Sequence, residues 1–175
     1  MSGVHAIVLA AGSGSRFGGG KLMAPFRDGV LLDGALDAAV AAPVDSVRVV
    51  VGADPAVAAH AGARGAKVVQ AKDHALGLSA SLRAGIAALP KDAAGALVLL
   101  GDMPLAPHAV LAPLVQAVGA GALAAAPVFE GRLGNPVALS AALFPTVMAL
   151  EGDRGARALI EGLGEALARI PAPDP

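Results

Sequence analysis

Leu9-Ala10-Ala11-Gly12-Ser13-Gly14-Ser15-Arg16 opens on the last residue of a short apolar run, His5–Leu9, and continues through Phe17-Gly18-Gly19-Gly20 to Lys21. Small residues let backbone N–H groups approach a ligand closely, and glycine supplies the φ values that an anion cradle needs. Arg16 can grip phosphate oxygens with two parallel hydrogen bonds, while Lys21 acts as a mobile point charge. A solvent-facing glycine loop with two idle cations is the plain alternative. Loop, Arg and Lys together after a first strand favour a phosphate site. Two familiar variants do not fit. Leu22 stands where a Walker loop places Ser or Thr after its Lys, and Phe17 replaces the third glycine of G-x-G-x-x-G.

Outward from this loop, short apolar runs alternate with helix-length amphipathic segments. The expected strands are His5–Leu9, Val47–Val51, Lys67–Val69, Ala96–Leu100 and Leu123–Pro127, nearly continuous in apolar residues as parallel strands buried on both faces are. The expected helices are Leu31–Ala41, Pro55–Ala61, Ser79–Leu89, Pro107–Val118, Ala141–Leu150 and Gly155–Leu163. Pro55 and Pro107 stand where a helix begins, a position that tolerates a missing N–H. Such alternation predicts an α/β protein, a three-layer, doubly wound, mostly parallel sheet in a single domain over residues 1–175. Phe129 to Leu139, with Gly131, Gly134 and Pro136, reads as a hairpin or loop inserted over the sheet. Ligands of open α/β sheets bind beyond the carboxyl ends of the strands.

Composition narrows the chemistry. The hydrophobic fraction is 55% and the charged fraction 15%, so a sizeable core is available and disorder is excluded. There is no Trp or Tyr, so the core is built from Ala, Val and Leu. Net charge is −1, with neither the basic excess nor the stacking aromatics of a nucleic-acid binder. No cysteine is present, which excludes disulfides, thiolate nucleophiles and zinc–thiolate sites. No apolar segment is long enough for a membrane span and no leader is recognisable, so a soluble, cytoplasmic protein is expected.

Asp102 follows the strand Ala96–Leu100 and should emerge at the ligand-binding edge, where one carboxylate suffices to anchor Mg²⁺ on a triphosphate. Its plain alternative is a turn former beside Pro104. Ser79 and Ser81 open a helix after Gly77, in reach of an anion or a base, or simply as a cap. Asp153, Arg154 and Arg157 lie at the start of a late helix, where Asp ordinarily caps. The four histidines make no metal-ligand spacing and no Ser-His-Asp arrangement.

The run Leu9–Arg16 with Lys21-Leu22 resembles the signature of nucleotidyltransferases acting on sugar phosphates and related compounds, in detail the molybdenum cofactor cytidylyltransferase and guanylyltransferase branch. Gly77-Leu78-Ser79-Ala80-Ser81-Leu82-Arg83-Ala84-Gly85, Gly101-Asp102-Met103-Pro104, Gly134-Asn135-Pro136-Val137 and Gly152-Asp153-Arg154-Gly155-Ala156-Arg157 resemble its later segments in the same order.

This resemblance implies a Rossmann-like nucleotidyltransferase fold and transfer of a nucleoside monophosphate to an acceptor phosphate, with Mg²⁺ as cofactor. Arg16 and Lys21 would be catalytic and Asp102 the metal ligand. Leu9, Ala10, Ala11, Gly12, Ser13, Gly14, Ser79 and Ser81 would bind nucleotide, and Asn135, Asp153 and Arg157 the acceptor. Ala11 is similar to the cytidylyltransferase branch and points to CTP. Asn135 stands where that branch has His, which leaves molybdopterin one acceptor among other small phosphorylated compounds. Family members continue into a segment with a second metal ligand and a last strand, and this chain ends Arg169-Ile170-Pro171-Ala172-Pro173-Asp174-Pro175 instead. A catalytically impaired nucleotide-binding regulatory module, a sugar-phosphate nucleotidyltransferase and a dinucleotide-dependent oxidoreductase are the alternatives. A monomer or weak homodimer is expected.

Overall fold

The computed structural model describes residues 2–12 and 20–174. Strands β1 (Val4–Ala10), β4 (Val47–Val51), β5 (Lys67–Gln70), β6 (Gly95–Leu100), β7 (Ala124–Phe129), β8 (Arg132–Leu133), β9 (Val137–Ser140) and β10 (Leu167–Pro171) form one eight-stranded sheet, and β2 (Pro25–Phe26) and β3 (Gly29–Val30) a small separate hairpin. The main order is β10-β7-β9-β6-β1-β4-β5, with β8 paired to β7. β9 runs antiparallel to both its neighbours, β6 and β7, while β1 pairs in parallel with β4 and β6. Helices are α1 (Leu31–Ala41), α2 (Pro55–Ala63), α3 (Leu78–Ala87), α4 (Leu111–Gly119), α5 (Phe144–Met148) and α6 (Ala156–Glu161).

Strand β1 is buried along its whole length, and its side chains alternate between the sheet's two faces. Val4, Ala6, Val8 and Ala10 pack with Leu32 and Leu36 of α1, Val57 of α2 and Leu114 of α4. Ile7 and Leu9 pack with Leu82 and Ile86 of α3, Val147 of α5 and Ile160 of α6. Two cores on two faces make the three layers, as expected from the alternation. Strand β4 and helix α1 coincide with their expected bounds. At α2, Asp54 caps the helix by accepting the Ala56 N–H at 2.9 Å, and Pro55 fills the first turn.

Four expectations are corrected. The hairpin expected in Phe129 to Leu139 is present as the antiparallel β7–β8 pair, but the segment does not lie over the sheet: it belongs to it, and continues as β9 after a cis Asn135–Pro136 peptide. The final strand is present in a different form: β10 pairs in parallel with β7, Leu167 opposite Ala124. β5 is an edge strand with one face open to solvent. Helix α3 starts at Leu78 with Gly77 as its cap, so Ser79 is not the capping residue. No helix among the described residues is long and apolar enough to cross a membrane.

Candidate active site

Order along the sheet places the crevice. The chain steps from β1 outward to β4 and β5, then crosses to β6 on the other side of β1. Ligands of doubly wound sheets occupy the carboxyl edge at that reversal. The glycine loop leaves β1 there, and the 101–104 turn leaves β6 beside it. Gly101 N–H donates to the Leu9 carbonyl at 2.9 Å, extending the ladder one residue past β6. Beyond that last bond the chain is free to turn, and Asp102 emerges exposed.

Helix α1 supports this turn. Pro104 lies against Gly34 so closely that a Cβ on Gly34 would overlap the Pro104 backbone, its Cα 2.5 Å away. A glycine inside a helix costs about 1 kcal/mol relative to alanine, so its presence in mid-α1 is explained by this close approach.

Lys21 comes back to the same edge from the far end of the glycine loop. It begins a single 3-10 turn, Lys21–Met23, whose Leu22 is buried in the core and fixes the turn in place. The Lys21 Nζ stands 3.5 Å from the Asp102 Oδ2, with the two side chains 44% and 49% exposed. Ser13, Gly14 and Arg16 lie outside the described residues. Leu9, Ala10 and Ala11 are buried at the strand exit and Gly12 is exposed, so backbone groups of this stretch, not its side chains, are what a ligand would meet.

Two candidates face other partners. Ser79 is 1% exposed, and both its N–H and its hydroxyl donate to the Gly152 carbonyl, at 3.1 Å and 2.7 Å. Ser81 is 4% exposed within the same helix. Arg157 pairs with Glu161 one turn along α6, Nε to Oε1 3.2 Å, on an exposed face. Asp153 is exposed and its Oδ1 sits 2.7 Å from where a Gly77 Cβ would be. Asn135 precedes β9 by two residues; continuing the Val98–Val137 register puts it level with Leu100 at the carboxyl edge. Sequence reasoning passed over Gly34 and Arg83. An isolated glycine within a helical pattern was the available sign for Gly34; for Arg83 it was its place inside the Gly77–Gly85 segment, where only the serines were singled out.

Among the described residues no three His, Asp or Glu side chains gather at metal-ligand distance. Asp102 offers one hard carboxylate in the open, with room for other oxygen ligands. That donor set fits a Mg²⁺-type ion, which takes one or two carboxylates and completes its shell from phosphate and water.

Layer order, strand polarity and the edge crevice together define a Rossmann-like nucleotidyltransferase fold. Residues 6–169 match the MobA-like NTP transferase domain, and the chain belongs to that family. It is therefore a nucleotidyltransferase whose substrate is a nucleoside triphosphate, which displaces the dinucleotide-oxidoreductase alternative. No curated protein matches the chain in sequence. Among solved structures it is similar to Rv0371c from Mycobacterium tuberculosis H37Rv, at 28% identity over 97% of this chain and 87% of that one, with a TM-score of 0.84. The same Mycobacterium tuberculosis protein in complex with manganese matches at 27% identity and TM-score 0.82, over 97% of this chain and 88% of that one. The homologue of Rv0371c from Mycobacterium sp. strain JC1 shares 30% identity over 99% and 87% of the two chains, with a TM-score of 0.85. A nucleotidyl transferase from Methanothermobacter thermautotroptrophicus, at 24% identity and TM-score 0.81 over 98% and 88%, shares the fold.

Proposed function

We propose that this chain transfers CMP from CTP to the phosphate of a small acceptor, with molybdopterin the leading candidate, and releases pyrophosphate with the help of Mg²⁺. The observation that carries the reading is the Lys21–Asp102 pair at the carboxyl edge, beside the loop that leaves β1. A cation and a carboxylate held open at that edge suit a metal–triphosphate, which offers a partner to each.

An oxygen of the acceptor phosphate attacks the α-phosphorus, and the bond from that phosphorus to the oxygen bridging the β-phosphate breaks. The two electrons of that bond leave with pyrophosphate. Because the nucleophile is already anionic, no histidine or serine base is needed. Lys21, with Arg16 from the glycine loop, meets the charge growing on pyrophosphate, the kind of preorganised electrostatics that carries most phosphoryl-transfer catalysis. Backbone groups from Leu9 to Gly14 hold the nucleotide, and α3 with Ser79 and Ser81 borders it. Asp102 would hold the divalent cation, which when bound neutralises phosphate charge; the manganese complex of Rv0371c supports a cation in this fold family. Asn135, Asp153 and Arg157 would border the acceptor. Ala11 favours CTP over GTP by its likeness to the cytidylyltransferase branch.

A screen of CTP, GTP, UTP and ATP against molybdopterin and several sugar 1-phosphates, with Mg²⁺ and pyrophosphate release as readout, tests this. Release with CTP and molybdopterin alone is the expected result. Release with a sugar 1-phosphate would reassign the acceptor, and nucleotide binding without release from any pair would defeat the enzyme reading.

A further inference from the structure

The segment Leu150–Gly155 is tied to the start of α3 by contacts that have no counterpart in local sequence. The Gly152 carbonyl accepts from both the Ser79 N–H and the Ser79 hydroxyl, at 3.1 Å and 2.7 Å. One Arg83 Nη1 donates to the Ser79 hydroxyl oxygen at 3.3 Å and also to the Leu150 carbonyl. Arg83 thus ties the second turn of α3 to Leu150, two residues past α5, with the doubly bonded Ser79 beside it. Backbone contact closes the joint. Gly77 has φ 109°, and a Cβ there would meet the Gly152 carbonyl carbon at 2.6 Å and the Asp153 Oδ1 at 2.7 Å. A Cβ on Gly155 would meet Leu78 Cδ2 at 2.6 Å. Leu78, Ser79 and Arg83 therefore hold one side of the segment, and Asp153, itself exposed, is carried to the cap of α3.

The Ser79 amide is committed to the same joint. The Ser79 N–H lies in the first turn of α3, where N–H groups have no intrahelical acceptor. Gly152 supplies that acceptor, so this donor is directed at the protein. What α3 contributes at this point is an anchorage for the segment bearing Asp153.

We infer that Arg83 is a positioning residue: it clamps Leu150–Gly155 onto α3 and so fixes the Asp153 carboxylate beside Gly77, on the acceptor side of the site. The acceptor-side placement rests on the nucleotidyl-transfer reading, whereas the clamp rests on the hydrogen bonds and close contacts alone. Two readouts keep these apart.

The first is amide hydrogen exchange at Ser79, whose N–H is protected by Gly152 and not by its own helix. In Arg83→Met, Ser79 exchange should accelerate about tenfold or more, with β1 amides such as Val8 unchanged; Arg83→Lys, which keeps one donor, should recover part of the protection. The second is steady-state kinetics with CTP and molybdopterin, or with whichever pair the screen returns. Arg83→Met should raise KM for the acceptor by about tenfold and leave KM for the nucleotide within about twofold. Asp153→Ala should raise the acceptor KM to a similar degree without touching Ser79 exchange, and the double variant should be no worse than either single one, since both lie on one chain of contacts. Ser79→Ala, which keeps the N–H and removes only the hydroxyl, serves as a second probe of the clamp should Arg83→Met fold poorly; accelerated exchange at its residue 79 supports the clamp. Ser79 exchange within twofold of the parent in both Arg83→Met and Ser79→Ala would overturn the clamp. Equal rises in both KM values, or additive effects, would overturn the acceptor-side placement. If the parent enzyme turns over no acceptor at all, nucleotidyl transfer fails as a reading while Ser79 exchange still decides the clamp.

Discussion

Lys21 and Asp102 face each other across the carboxyl edge of the sheet, Nζ to Oδ2 3.5 Å, each side chain close to half exposed. An ion pair that open contributes between about 0 and 1 kcal/mol to stability, since water screens it and two long side chains must be ordered to make it. Stability does not explain the pair. Its position does: one partner ends the glycine loop and the other leaves the neighbouring strand, so on the proposed reading a metal–triphosphate entering the crevice would meet both.

Activity and stability should accordingly separate at these two residues. Asp102→Ala and Lys21→Ala are each expected to lower turnover by about 100-fold or more, the scale of losing one preorganised electrostatic group. Urea denaturation should show a change of no more than about 0.5 kcal/mol in either variant. Pyrophosphate release beside urea midpoints measures both. Parent-level turnover in Asp102→Ala would remove the metal role proposed for it.

At Gly34 the same edge is coupled to the core. A methyl group there would overlap the Pro104 backbone, and α1 cannot retreat because Leu32, Ala35 and Leu36 around it are fully buried. Gly34→Ala should therefore displace the 101–104 turn. The helix gains about 1 kcal/mol of propensity, and overpacking costs about 1–3 kcal/mol. The net expectation is a small loss of stability with a loss of turnover larger than that stability change accounts for. Unaltered kinetics in a folded Gly34→Ala protein would show that the turn has slack.

How much of this was legible follows the range of the interactions involved. Helix α1 and strand β4 stand at their expected bounds because their patterns are local: an apolar stripe in one, a continuous apolar run in the other. Strand β9 was not legible. Four residues between Pro136 and a 3-10 turn carry too little periodicity, and their place in the sheet is set by β6 and β7, which flank them from elsewhere in the chain. β10 buries only Leu167 and then alternates half-buried and exposed positions to Pro171, next to a proline-rich end that reads as a tail. The Asp102 position was legible because a strand end points to the ligand edge. The Ser79–Gly152 bonds were not, since their partners are 73 residues apart and a serine early in a helix looks the same whether it meets a ligand or a carbonyl.

Away from the site, Asp33 joins α1 to α2. Its carboxylate accepts the Val30 N–H at 2.9 Å, meets His60 Nε2 at 2.6 Å and Arg64 Nη1 at 2.5 Å, while a second Arg64 nitrogen reaches Asp37. Burial pushes the Asp33 carboxyl up, but the Val30 amide, His60 and Arg64 outweigh it and hold the group below the usual carboxylate range. A folded-state value below 3.8 means that this contribution is fully present above that pH and is lost as pH falls below it. Asp33→Ala should cost about 2 kcal/mol in urea at neutral pH, from a charged acceptor with several donors. The deficit should shrink below about pH 4. A deficit that stays constant through that range would mean the carboxylate is not held low.

The opposite end of the sheet sets a second pH dependence. His5 is buried at the start of β1, its Nδ1 2.8 Å from the Ser46 hydroxyl, which also accepts from Arg48 at 2.5 Å. With its oxygen engaged by Arg48, Ser46 keeps its proton for His5, which suits an imidazole that is neutral at Nδ1. Burial lowers the His5 pKa below 6.5 and the Arg48 charge lowers it further, against opposing pulls from Asp45 and Asp92. The unfolded chain then takes up a proton at this residue before the folded one does. Stability linked to His5 is complete above pH 6.5 and falls as pH drops from there toward the folded-state value. Replacing His5 by Gln removes the titration, so the stability of the parent minus that of His5→Gln should decrease between about pH 7.5 and about pH 5. Urea denaturation across that interval reads it directly. A difference that rises toward acid would show that His5 is held protonated in the fold, and would reverse the hydrogen-bond assignment at Ser46.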